Sequence, residues 1–317
     1  MRDRFDLTNP DVTHLVTRVQ SGVIARRQLL ALGAGPKDIE RMLRRRELAS
    51  VHPGVYVDHT GPLSRRQREW AAVQAIWPAA LTRETALPLD DGGVLHLAVQ
   101  ADRTVRAPPR CVVHRTHRLD DWVDWKAGPP TVAVDEALIE VMASRVAHDE
   151  IAGAFAALTQ VAHSRLTWPD RLLDSIAARR RLAGRRIIAA MVEDLGSGMC
   201  SVLERGYVHR VERPHGLPTG TRQVASRATG NATSQDVRYH RHGLVVELDG
   251  RGYHDNPKAR DDDARRDIAE RATSDLTTVR VTYGLVFGDE CRTARWIGAV
   301  LRRLGWRGEL RTCPRCA

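Results

Sequence analysis

Glu247 and Asp249 stand two residues apart in the stretch Leu244-Val245-Val246-Glu247-Leu248-Asp249. Side chains at i and i+2 of an extended strand point to the same face, so the two carboxylates are expected side by side. Like charges that close repel unless a cation or a proton lies between them. Leu244, Val246 and Leu248 form the opposite, core-facing row. Asp236 falls on the preceding strand, and the short turn Arg241-His242-Gly243 predicts a hairpin that brings its carboxylate to the same spot. Glu204 falls on a helix ahead of these strands. Converging oxygens suit a hard, octahedral Mg2+, or Mn2+ in its place. The expected ligands are Asp236, Glu247 and Asp249, and a cation held there activates water and neutralises charge on a reacting phosphoryl group. The other reading of the Glu247/Asp249 pair is a strand end at Gly250, capped by backbone amides.

These acids need a sheet to hold them. The pattern predicts a helix over 201–211, strands over 221–228, 235–240 and 244–248, a helix over 258–272, a strand over 277–282 and a helix over 290–304. That αβββαβ order with a closing helix is a mixed sheet with flanking helices. Residues 147–198 read as a helical connector. Arg179 to Arg181 with Arg185 and Arg186 read there as a solvated helix face more readily than as a phosphate contact.

The first 60 residues read differently. Short helices are expected over 10–20 and from 23 to 32, where Gly33-Ala34-Gly35 stops the second. A third runs over 37–46, with Ile39, Met42 and Leu43 facing inward. Residues 48–57 then alternate around Pro53-Gly54, which predicts a hairpin. Three short helices and a hairpin make a winged helix-turn-helix. Arg41, Arg44, Arg45 and Arg46 fall on the third helix, where a major-groove reader needs donors. A merely solvated helix face is the competing account. Residues 61–146 follow with helices over 64–77, 81–87 and 132–146 and strands over 95–99 and 111–114.

Charge agrees with a polyanionic partner. The chain of 317 residues carries a net charge of +10, with a pI near 10.0, and its only lysines are Lys37, Lys126 and Lys258. Arginine suits phosphates and guanine edges. A GC-rich coding sequence explains the arginine-to-lysine ratio but not the excess of base over acid. No apolar run of about 18 residues occurs, so no membrane span is expected, and the first ten residues lack the apolar core of a secretory signal. Five cysteines at irregular spacing point to a reducing cytosol rather than a disulfide framework. Cys313 and Cys316 make one CxxC at the chain end; half a zinc site without a second pair reads as a frayed tail. The absence of a Walker loop, an HExxH and a GxSxG elbow removes several enzyme classes.

Two resemblances sharpen these expectations. The stretches RRELASVHPGVYV, LTRETALPLDD, VVHRTH and VDEALIEVM resemble abortive-infection antitoxins of the AbiEi type over about the first 145 residues. That likeness implies a winged-helix DNA reader with a small α/β support region and no chemistry of its own. The stretches SVLERGYVHRVERPHGLP, QDVRYHRHGLVVELDGRGYHD, DDDARRDIAE and TVRVTYGLVFGDECRTA resemble the PD-(D/E)xK nuclease superfamily. More closely, they are similar to a bacterial group related to very-short-patch repair endonucleases. This resemblance implies that Glu204 is the helical acid, Asp236 the first strand acid, Glu247 and Asp249 the Glu-Leu-Asp signature, and His254 the histidine after it. Asp263 and Arg266 form the DxxR of a downstream helix. One departure stands out: Asp249 occupies the place of the superfamily lysine, whose role could pass to His254, Lys258 or Arg266.

The expectation is therefore an α+β multidomain protein. It would comprise a winged helix-turn-helix over 1–60, a small α/β region over 61–146, a helical connector over 147–198 and a restriction-endonuclease-like αβββαβ domain over 199–310. The expected function is a cytoplasmic, Mg2+-dependent endonuclease acting on double-stranded DNA, with catalytic residues Glu204, Asp236, Glu247, Asp249, His254 and Arg266. A second copy of the chain is a further possible partner; a membrane is not expected. The alternative is a non-catalytic DNA-binding regulator or antitoxin of a toxin–antitoxin system, with a degenerate nuclease fold.

Overall fold

A pairing partner turns the β-branched residues after position 22 into a strand. In the computed structural model, Val23, Ile24 and Ala25 form a strand, β1 (Val23–Ala25), and not the first turn of the helix expected from residue 23. Valine and isoleucine lose side-chain freedom in a helix and pack well on a sheet. Here both are fully buried and pair antiparallel with β3 (Val55–Val57), which also pairs with β2 (Ala49–His52), giving the order β1-β3-β2. The structure describes residues 5–8, 10–197, 201–226, 233–249, 268, 272 and 276–316. Over these residues the protein is α+β, and its chain divides into two compact units, Met1–Leu138 and Ile139–Ala317.

In the first unit, α1 (Pro10–Thr13) continues into a π-helical turn over His14–Val19. Helix α2 (Arg26–Ala31) starts where Gln28 Oε1 accepts the Ala25 N–H at 2.9 Å. Helix α3 (Pro36–Arg44) has proline in its first turn, and Asp38 Oδ2 accepts the Gly35 N–H at 2.9 Å. Val12, Val16, Ile24, Leu29, Ile39, Met42, Leu48 and Tyr56 form the core beneath these helices and the small sheet. Helix α4 (Arg65–Ala75) opens with a reciprocal Ser64–Gln67 cap.

Beyond α4 comes a second sheet, of β4 (Ala80–Leu81), β5 (Leu95–Gln100), β6 (Cys111–Thr116), β7 (Val123–Asp124) and β8 (Thr131–Val132). Its order is β6-β5-β4-β8-β7. The helix expected over 81–87 is instead β4 followed by a short 3-10 turn at Arg83–Ala86, because Leu81 pairs with Leu97 on one side and Thr131 on the other. A short helix α5 (Leu119–Trp122) precedes β7, and α6 (Val134–Ala147) follows β8.

The second unit holds α7 (Ile151–His163), α8 (Pro169–Ala178) and α9 (Arg185–Ser197), then α10 (Ser201–Gly206), which runs into a π-helical turn over Tyr207–Glu212. The third sheet follows: β9 (Thr221–Ser226), β10 (Thr233–Tyr239), β11 (Leu244–Asp249) and β12 (Thr277–Thr282), in the order β12-β11-β10-β9. The pairs β9/β10 and β10/β11 are antiparallel, and β11/β12 is parallel. Helices α11 (Tyr283–Phe287) and α12 (Glu290–Arg303) close the unit. The helix expected over 258–272 lies outside the described residues apart from Ile268 and Ala272, both helical. No helix among the described residues is long and apolar enough to cross a membrane.

Candidate functional site

The acidic face is built by register. In the β10/β11 ladder Val237 pairs with Val246; one step further sets Asp236 across from Glu247. Residues directly opposite each other in an antiparallel pair share a face, and Asp249 follows two positions on along the same face. Beyond Val237 the ladder opens, and Asp236 Oδ2 accepts the Leu248 N–H at 2.7 Å. Asp236 also hydrogen-bonds with Glu247 and feels the charge of Asp249. Burial is the largest influence on Asp236 and raises its pKa; the bonds from Leu248, Gln223 and Glu247 pull the other way, and the net direction is up.

Glu204 joins from α10. Gln223 on β9 bridges it to the sheet: its Nε2 donates to Glu204 Oε1 and lies 3.5 Å from Asp236 Oδ1, while its Oε1 accepts from Ser234 Oγ at 2.8 Å. Burial, then the charge of Asp236, raises the pKa of Glu204. Gln223 takes a left-handed backbone, with φ at 49°, which is costly for a residue with a side chain and typical of functional sites. A polar network seats the π-helical turn that continues α10 against the sheet. Tyr207 and Tyr239 share a hydrogen bond of 2.9 Å, Tyr239 Oη donates to Glu212 Oε2 at 3.0 Å, and Arg222 pairs with Glu212 at 2.8 Å.

Two residues of this neighbourhood were not foreseen. Gln223 lies in an unremarkable Thr-Arg-Gln-Val stretch. Arg280 is the parallel-strand partner of Glu247, so a guanidinium is borne by the position beside the acid in a site whose own strand lacks a lysine. His254 and Arg266, like Lys258 and Asp263, lie outside the described residues.

The arginines expected on the third helix are distributed unevenly. Helix α3 ends at Arg44, Arg45 caps it and Arg46 has φ at 62°. Arg44, Arg45 and Arg46 are exposed. Arg41 is turned inward, paired with Asp38 at 2.6 Å and donating to the Phe5 carbonyl. Arg179, expected on a solvated helix face, is instead buried and paired with Glu140.

The terminal CxxC is not a frayed end. Cys313 and Cys316 meet His215 and Cys291, and the four donor atoms lie within 4.8 Å of one another. The missing half of the site comes from positions 101 and 22 residues away in sequence, a spacing no local motif encodes. Its sulfur-rich donor set is unlike the oxygen set on the acidic face and does not suit Mg2+. No protein-family model matches the chain, and no curated protein matches it.

Proposed function

We propose that this protein is a metal-dependent DNA endonuclease of the PD-(D/E)xK kind, carrying a winged-helix DNA reader of the AbiEi type at its N-terminus. The single observation that carries the reading is that Asp236 bonds with Glu247 on one face of the third sheet, with Asp249 two positions along that face and Glu204 tied to Asp236 through Gln223. Asp236 and Glu247, with Asp249, would hold Mg2+ or Mn2+. Such an ion supplies Lewis acidity toward a phosphate and lowers the pKa of water. The Leu248 amide fixes one oxygen of Asp236, leaving the carboxylate oriented toward Glu247. Gln223 holds Glu204 at the rim of this face. Arg280 offers positive charge to a phosphodiester beside Glu247.

The test is cleavage of supercoiled plasmid by the full chain. Nicked or linear product is expected with Mg2+ or Mn2+, none with excess chelator, and none from Glu247→Ala that still melts cooperatively. DNA binding without cleavage across a series of divalent cations would overturn the nuclease reading. It would favour a non-catalytic regulator or antitoxin, the reading that Asp249 in place of the superfamily lysine supports.

A further inference from the structure

We infer that His215, Cys291, Cys313 and Cys316 form a structural zinc site of the Cys3His type that pins the C-terminal tail to the second unit. Three of the six donor–donor distances lie close to the edges of a zinc tetrahedron, and the remaining three are within 4.8 Å. Cys291 Sγ is 3.5 Å from Cys313 Sγ, Cys313 Sγ is 3.7 Å from Cys316 Sγ, and Cys316 Sγ is 3.4 Å from His215 Nε2. Zinc bonds of about 2.3 Å to sulfur and about 2.0 Å to nitrogen give tetrahedral edges of about 3.8 Å between sulfurs and about 3.5 Å from sulfur to nitrogen. The three cysteines are free thiols in this geometry.

The surroundings prepare the histidine and the two tail sulfurs. His215 is buried, and its Nδ1 donates to the Val211 carbonyl at 2.9 Å. A carbonyl only accepts, so the proton sits on Nδ1 and the Nε2 lone pair faces the sulfurs, the second-shell arrangement usual for a zinc-bound histidine. Two backbone amides point at sulfur: Cys313 N toward Cys316 Sγ at 3.4 Å and Arg315 N toward Cys313 Sγ at 3.3 Å. Thiols that coordinate a divalent cation bind it as thiolates, and amides aimed at sulfur favour that charged form.

Four protein ligands close the coordination sphere, which marks a structural rather than a catalytic site. The donors come from three segments: the stretch after the π-helical turn, the first turn of α12, and the tail. The tail is already laid along this path. Arg311 N donates to the His215 carbonyl at 2.9 Å, Arg315 pairs with Glu290 at 3.2 Å, and Leu310 packs where Gly298 has no side chain. Metal ties these short-range contacts into one cross-link.

The test uses the full chain, purified without a histidine tag. Metal analysis should find one zinc per chain. Exchange with Co2+ should give the visible absorption of tetrahedral cobalt, with thiolate charge-transfer bands. Cys291→Ser and Cys316→Ser should each lose the zinc and that spectrum, whereas Cys111→Ser should keep both. Stripping zinc with a strong chelator should lower the melting temperature, and returning zinc should restore it. Protein that carries no zinc and yields no tetrahedral cobalt spectrum would overturn the site. So would zinc retained in both Cys291→Ser and Cys316→Ser, or thiol titration showing these cysteines paired as disulfides. The wild-type cobalt spectrum decides the matter even if a variant does not fold, and none of these readouts depends on DNA cleavage.

Discussion

Gln223 is the residue whose substitution best separates positioning from folding. Its side chain ties Glu204 to Asp236, while its backbone sits in the left-handed region at φ 49°. Glycine adopts that conformation without strain. Gln223→Gly should therefore keep or raise the melting temperature while weakening metal binding and cleavage by about 10–100-fold, the usual cost of losing an outer-shell partner. Gln223→Ala should show the same functional loss without the gain in stability. Titrating Mg2+ into both variants, with a melting curve for each, checks the outcome. Wild-type metal affinity in Gln223→Gly would show that the amide positions nothing.

At the scale of elements, the β5/β6 pair contains an acid-sensitive device. His96 and His114 stack with their rings 5.1 Å apart, and His96 Nδ1 lies 2.8 Å from His114 Nε2. That hydrogen bond needs one nitrogen bare, so protonating both rings breaks it. Burial, then Arg83 and His96, lowers the pKa of His114 to about 4, against an unfolded value of about 6.5. Between these values the unfolded chain binds more protons than the folded one, so stability falls as pH drops through this window and levels off below it. His114→Gln, which can still hydrogen-bond His96 but gains no proton, should reduce the loss of melting temperature between about pH 6.5 and about pH 4. An NMR titration placing His114 near its ordinary value would contradict this.

For the molecule as a whole, the +10 charge predicts DNA binding that weakens steeply with salt, through counterion release. Arg44 and Arg45 are exposed at the end of α3, with Arg45 only loosely paired to Glu47 at 3.9 Å. Replacing both with glutamine should leave the melting temperature unchanged. If both contact phosphate, the slope of log affinity against log salt should become shallower by about 2. Arg41 is a poorer target, because its contacts with Asp38 and the Phe5 carbonyl make its loss a folding defect as well. Fluorescence anisotropy of a labelled duplex across a salt series measures the slope; an unchanged slope would show that Arg44 and Arg45 contact no phosphate.

What the sequence determined by itself was local. Strand alternation set Glu247 and Asp249 on one face, the turn at Gly243 set the hairpin, and the capping residues Ser64, Gln67 and Asp38 started their helices. Each of these depends on residues within a few positions of one another, where backbone geometry alone dictates who meets whom. Tertiary structure decided the rest. Residues 23–25 became a strand because residues 55–57 offered a partner. Gln223 reached Glu204 and Asp236 because β9 pairs with β10 and α10 lies against the sheet. Cys313 and Cys316 acquired His215 and Cys291 because the tail folds back along α12. A metal centre needs donors that converge in space, and convergence of residues 101 positions apart follows from how the whole chain packs, which no window of sequence contains.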